Sequence, residues 1–88
     1  MKRIEIIPLA KRKMEKRGIP EEWVDHALRG ASQVVEGHSG RLVAQQRRKI
    51  RHREKLLRVV FEETETEYIV ITAYLTSEIG RYWRDKGP

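Results

Sequence analysis

Hydrophobic and polar positions change their period once along this chain. From Leu9 to Arg17 the repeat is helical, with Leu9, Met14 and Arg17 spaced by turns, and Pro8 suits a first helical turn because its missing N–H is not needed there. Gly18 is the expected C-terminal stop. Pro20 opens a second helix, Glu21 and Glu22 complement its N-terminal dipole, and Trp23, Val24, Ala27 and Leu28 share one face up to Gly30. Beyond Gly30 the period becomes strand-like. Gln33–Glu36 is a short strand, Gly37-His38-Ser39-Gly40 a turn, and Arg41 to about Arg53 a long strand. Leu56–Glu62 and Glu67–Leu75 follow, separated by the polar Glu63–Thr66, and the last is densest in β-branched and aromatic residues. Arg3–Ile7 could add a short strand, and a short helix or tail begins at Ser77. Helices first and a meander afterwards predict one α+β domain over residues 1–88.

Alternation then sorts the side chains. Leu57, Val59 and Phe61 share a face, as do Ile69, Ile71, Ala73 and Leu75, and both sets should meet beneath the helices. The opposite side would show Arg58, Thr72 and Tyr74, with Arg58 about opposite Thr72. For the long strand, a two-residue turn at Glu54-Lys55 brings Arg47, Lys49 and Arg51 to the side of Arg58. A three-residue turn brings Arg48, Ile50 and His52 instead. The first is preferred because it turns Leu42 and Ile50 to the core.

Charge sharpens this picture. The chain carries 19 Lys+Arg against 13 Asp+Glu, a formal +6 with a pI near 10.0. Arg41, Arg47, Arg48, Lys49, Arg51, Arg53, Lys55 and Arg58 fall in one stretch whose lone acid is Glu54. Like charge concentrated on a sheet repels itself, and a polyanion, most simply RNA or DNA, relieves that repulsion. Cys is absent, which excludes disulfides, thiol nucleophiles and Cys-ligated zinc. No His pair has metal-ligand spacing and no carboxylate pair suggests two-metal chemistry, so neither metal nor cofactor is expected. No apolar run reaches the ~18 residues of a membrane span, and the N-terminus lacks a signal-peptide core, so a cytoplasmic protein without membrane contact is expected.

Several segments together resemble the RelE/ParE-like toxins, within the metal-independent ribonucleases that include barnase and the colicin nucleases. They are Ala10–Ile19 with its Arg-Gly-Ile corner, the helix Trp23–Leu28, the strand Leu57-Arg58-Val59-Val60 and the closing Ile71-Thr72-Ala73-Tyr74. The resemblance is to a small branch and spans nearly the whole chain. It implies two helices packed on a four-stranded antiparallel sheet with a concave RNA-facing side. It also implies a metal-independent endoribonuclease acting on RNA, with mRNA at the ribosome as one expected substrate, and a co-encoded antitoxin partner. By that resemblance Arg58 takes a catalytic strand position and Tyr74 the strand-end Tyr. One departure is Leu9, where the branch often has His, so either another group supplies acid–base chemistry or the chain is inactive.

Metal-free RNA cleavage needs a base for the 2′-OH, positive charge around the phosphorane and a proton for the leaving oxygen. Arg58 suits the second task through its planar fork. Tyr74 and His52 are the candidates for proton movement, and Arg41, Arg47, Arg48, Lys49, Arg51 and Arg53 for phosphate contact. His38, in the glycine-flanked turn, is a lesser catalytic candidate, and His26 suits surface packing. Two alternatives stay open: a non-catalytic RNA- or DNA-binding module, and a protein-interaction subunit with a basic face.

Overall fold

The computed structural model describes residues 2–31 and 33–85. The elements run β1 (Arg3–Ile6), α1 (Pro8–Arg17), α2 (Glu21–Arg29), β2 (Gln33–Glu36), a 3-10 turn at His38–Gly40, β3 (Leu42–Ile50), β4 (Arg53–Glu63), β5 (Glu67–Thr76) and α3 (Ile79–Tyr82). Pro8 does occupy the first turn of α1. Gly18 closes that helix in the left-handed region at φ 68°, its N–H facing the carbonyls of Glu15 and Met14. Ala10 and Met14 form the buried stripe of α1, and Val24, Ala27 and Leu28 that of α2.

The α+β class holds, but the sheet differs from the expected four antiparallel strands. Five strands are ordered β1-β5-β4-β3-β2, and β1 pairs parallel to β5, with Ile6 opposite Val70. Ile4 and Ile6 point to the helices while Arg3 and Glu5 face solvent, so four residues suffice for an alternating edge strand. Parallel pairing needs a long connection, here nearly the whole chain, and no local pattern announces it.

The β3–β4 hairpin corrects both expected turns. Ile50 pairs with Arg53, so the turn is Arg51-His52, with φ 49° and 70°. Gln45 rather than Arg51 lies opposite Arg58. The preferred facing nevertheless survives for Arg47 and Lys49, which fall on the Arg58 side, because the slip is an even number of residues. Leu42 packs on the core as expected, whereas Ile50 lies out along the hairpin and is half-exposed.

A bulge corrects β5. Val60 pairs with Thr72 but Phe61 pairs with Val70, leaving Ile71 as an extra residue. Val70 and Tyr68 therefore turn to the helices, where Tyr68 meets Phe61 edge-on at 5.7 Å between ring centroids, and Ile69 and Ile71 leave the expected apolar face. Arg58 lies opposite Tyr74, two residues from the expected Thr72. The core, between the helices and one sheet face, is built on Met14, Val24, Leu57, Val59, Phe61 and Val70. No helix among the described residues is long and apolar enough to cross a membrane.

Candidate active site

Arg58 projects from β4 between the buried Leu57 and Val59, on the sheet face opposite α1 and α2. Its cross-strand neighbours hold it. Nε donates to Gln45 Oε1 at 2.7 Å and Nη1 donates to the Tyr74 hydroxyl. The guanidinium lies over the Tyr82 ring at 4.0 Å from its centroid, contributed by α3. Gln45 is fully buried, and its amide is saturated by that bond and by donation to Gln33 Oε1 and the Tyr82 carbonyl, both at 3.1 Å. Gln33 in turn accepts the Arg84 N–H at 3.0 Å. One polar network therefore straps α3 across the open face and orients Arg58. Among the described residues, three of the five N–H donors of that guanidinium are left without a protein acceptor.

A cleft of about 470 Å³ opens beside this network. Val43, Val60 and Ile71 floor it, Arg58, Tyr74 and Tyr82 form one side, and Glu36 from the end of β2 joins His38 and Arg41 from the loop that follows. The loop hugs the sheet because position 37 has no side chain: a Cβ there would stand 3.0 Å from Val43 Cγ2. Arg41 pairs with Glu62 at 3.0 Å across exposed surface.

The other expected residues lie elsewhere. Arg47 stacks on Trp83 at 4.5 Å and bonds Glu54 at 3.2 Å. Arg48, on the helix side of the sheet, stacks on Trp23 at 4.3 Å and bonds Gln46 at 3.0 Å. Lys49 shares the Arg58 side further along β3, Arg53 begins β4 on the helix side, and Arg51 and His52 make the turn. His52 is thus not brought to Arg58 and Tyr74: the five residues from Arg53 to Arg58 span roughly 16 Å. His38 is the histidine that lines the cleft, while His26 lies on α2. Among the described residues no group of three or more His, Asp or Glu converges as a metal site.

Sequence reasoning missed Gln45 and Gln33. The signal for Gln45 was present, as a polar residue interrupting an otherwise buried strand segment after Val43-Ala44. Tyr82, with Trp83, is legible in the sequence as an aromatic that could stack on a base or seal the core end, but its place over Arg58 follows from how α3 folds back.

A family model described as a domain of unknown function, DUF4258, matches residues 10–75. The chain belongs to the DUF4258 family. The DUF4258 span runs from within α1 to the penultimate residue of β5, so it contains His38, Arg41, Gln45, Arg58 and Tyr74, whereas β1 and the Tyr82 that covers Arg58 lie outside it. The match carries no link to the RelE/ParE-like toxins. No curated protein and no solved structure matches the chain.

Proposed function

We propose that this DUF4258 chain is a RelE-like, metal-independent endoribonuclease, the toxin half of a toxin–antitoxin pair, and that the cleft is its active site. The observation that carries this is the convergence of Arg58, Arg41, Tyr74 and His38 on one concave surface. Arg58 stabilises the charge that develops on the phosphorane, with its orientation set in advance by Gln45 and Tyr74. Arg41 exchanges the exposed Glu62 for a substrate phosphate. His38 takes the 2′-OH proton as that oxygen attacks phosphorus, and the departing 5′-oxygen receives a proton from the Tyr74 hydroxyl. The products are a 2′,3′-cyclic phosphate and a 5′-hydroxyl end. Tyr82, with its ring already against a guanidinium, edges the cleft where a base would stack. In this scheme His38 takes the proton role that Leu9 cannot supply and that His52 is too distant to fill.

The Arg58 network favours a second reading, because a guanidinium tied into a strap can serve structure alone. In that case the domain binds RNA without cutting it. Removal of Arg58 does not separate the two, since it also loosens α3, so the test rests on His38→Ala and Tyr74→Phe. Wild type and both variants are expressed in a bacterial host, growth is followed and RNA 5′ ends are mapped. Growth arrest with new 5′-hydroxyl ends, lost in His38→Ala at unchanged thermal stability, is the expected result. Intact RNA and normal growth with folded wild-type protein would leave the binding module standing.

A further inference from the structure

The β3–β4 hairpin outruns its neighbours. β2 stops pairing at Gln45 and β5 stops at Leu56, so residues 47–55 form a two-stranded arm with no third strand on either side among the described residues. Its two faces carry different charge. On the cleft side, Arg47 and Lys49 are answered by Glu54, and Arg47 is already engaged by that acid and by Trp83. On the helix side, Arg48 lies directly opposite Lys55 and Ile50 opposite Arg53, with no acid between them. Like charges directly opposite on a ladder are destabilising. The acids of α2 do not answer them, because Glu21, Glu22 and Asp25 line a groove with Glu5 of β1 and Lys11 of α1. Among the described residues, Arg48, Arg51, Arg53 and Lys55 form no ion pair.

The tip adds a second, independent observation. Two-residue hairpin turns with both residues at positive φ are strongly biased to Asn-Gly, because a Cβ disfavours that conformation. Here Arg51 and His52 hold it, at φ 49° and 70°. Backbone strain is thus retained at the one point where two more basic-type side chains project furthest from the body. The arm is also braced, by Arg48 on Trp23 from one face and Arg47 on Trp83 from the other.

We infer that the helix-side face and tip of this arm form a second RNA-binding surface, distinct from the cleft, that grips the phosphate backbone of a helical RNA segment. Three features set its chemistry. Unpaired cations supply sequence-independent phosphate contact. Binders of single strands add aromatic stacking platforms, and residues 47–55 of the arm contain no Phe, Tyr or Trp. A braced, projecting arm suits a fixed groove better than a flexible strand. The identification of the polyanion as RNA rests on the nuclease proposal, whereas the surface itself does not.

The experiment measures binding of the full chain to a short fluorescent RNA duplex across a salt series, beside cleavage of a single-stranded RNA oligonucleotide. The variants are Arg53→Gln/Lys55→Gln and Arg51→Asn/His52→Gly. The first should weaken duplex binding on the order of tenfold at moderate salt and flatten the log–log salt slope by up to about two. The second should raise the melting temperature, because it relieves the turn, and yet weaken duplex binding, a combination that a purely structural tip would not give. Unchanged duplex affinity in both variants overturns the inference, as does wild type that prefers the single strand or a DNA duplex. Should wild type cut nothing while the variants still lose duplex affinity, the nuclease proposal fails and the arm stands. Should wild type cut while duplex binding is indifferent to the arm, the reverse holds.

Discussion

The two faces of β4 follow opposite rules although they alternate residue by residue. Leu57, Val59 and Phe61 enter a continuous apolar core closed by two helices. Arg58 and Val60 look onto a face where Val43 and Leu56 are also buried, and whose cover, the four-residue α3, is fastened by hydrogen bonds as well as by stacking of Tyr82 on Arg58. On the first face stability scales with buried apolar area; on the second it depends in addition on whether each buried polar atom keeps its partner. Evenly spread packing tolerates little change in volume, whereas a polar strap tolerates little change in identity.

Breaking the packed face should have the largest effect. Leu57→Ala, at a fully buried position, is expected to destabilise by about 3 kcal/mol, read as a drop in urea midpoint at constant slope. For a domain of this size that is a large share of the total. On the strapped face, Gln45→Leu should cost about 1–3 kcal/mol, because it strands Arg58 Nε and the Tyr82 carbonyl together. Combined with Arg58→Met it should cost much less than the two changes summed, and a double-mutant cycle that came out additive would mean the strap is not a unit. Smaller again is Trp83→Leu, which removes the stack beneath Arg47, about 0.5–1 kcal/mol in a thermal melt. Least of all is Arg41→Gln with Glu62→Gln. Both partners are exposed, so the coupling energy should fall in the range of about 0–1 kcal/mol and vanish in high salt.

The sequence was most legible where one local rule decided the outcome. Helix α1 begins at Pro8 and ends at Gly18 because ring geometry and a left-handed cap permit little else. The bounds of the strands from Gln33 and from Glu67 fall where the density of β-branched and aromatic residues places them. What stayed hidden depended on competition between distant segments. Arg51-His52 carries no turn signature, and local pattern favours a corner at Glu54-Lys55, so the turn is fixed only by the pairing of the whole hairpin with β5 and β2. The bulge at Ile71 adds no unusual residue to β5, so only pairing reveals it. For the site, alternation placed Arg58, Thr72 and Tyr74 together correctly, and charge density drew attention to the hairpin. It could not say that most of the hairpin's unanswered charge turns away from the cleft, since that partition follows from a register fixed elsewhere.

The extra residue in β5 also separates shape from charge. A bulge bends its strand and tightens the local twist, and Ile71 lies in the cleft floor where that bend would hollow the sheet. Excising Ile71 would bring Thr72 and Val70 into an unbroken ladder opposite Val60 and Phe61, with no side chain changing face. The expected product is a flatter domain that keeps Arg58, Tyr74, His38 and Arg41. It would have the same electrostatic potential on a surface that no longer encloses a substrate. Curvature here is a heritable quantity of one codon, open to adjustment by insertion or deletion without touching a single ionisable group.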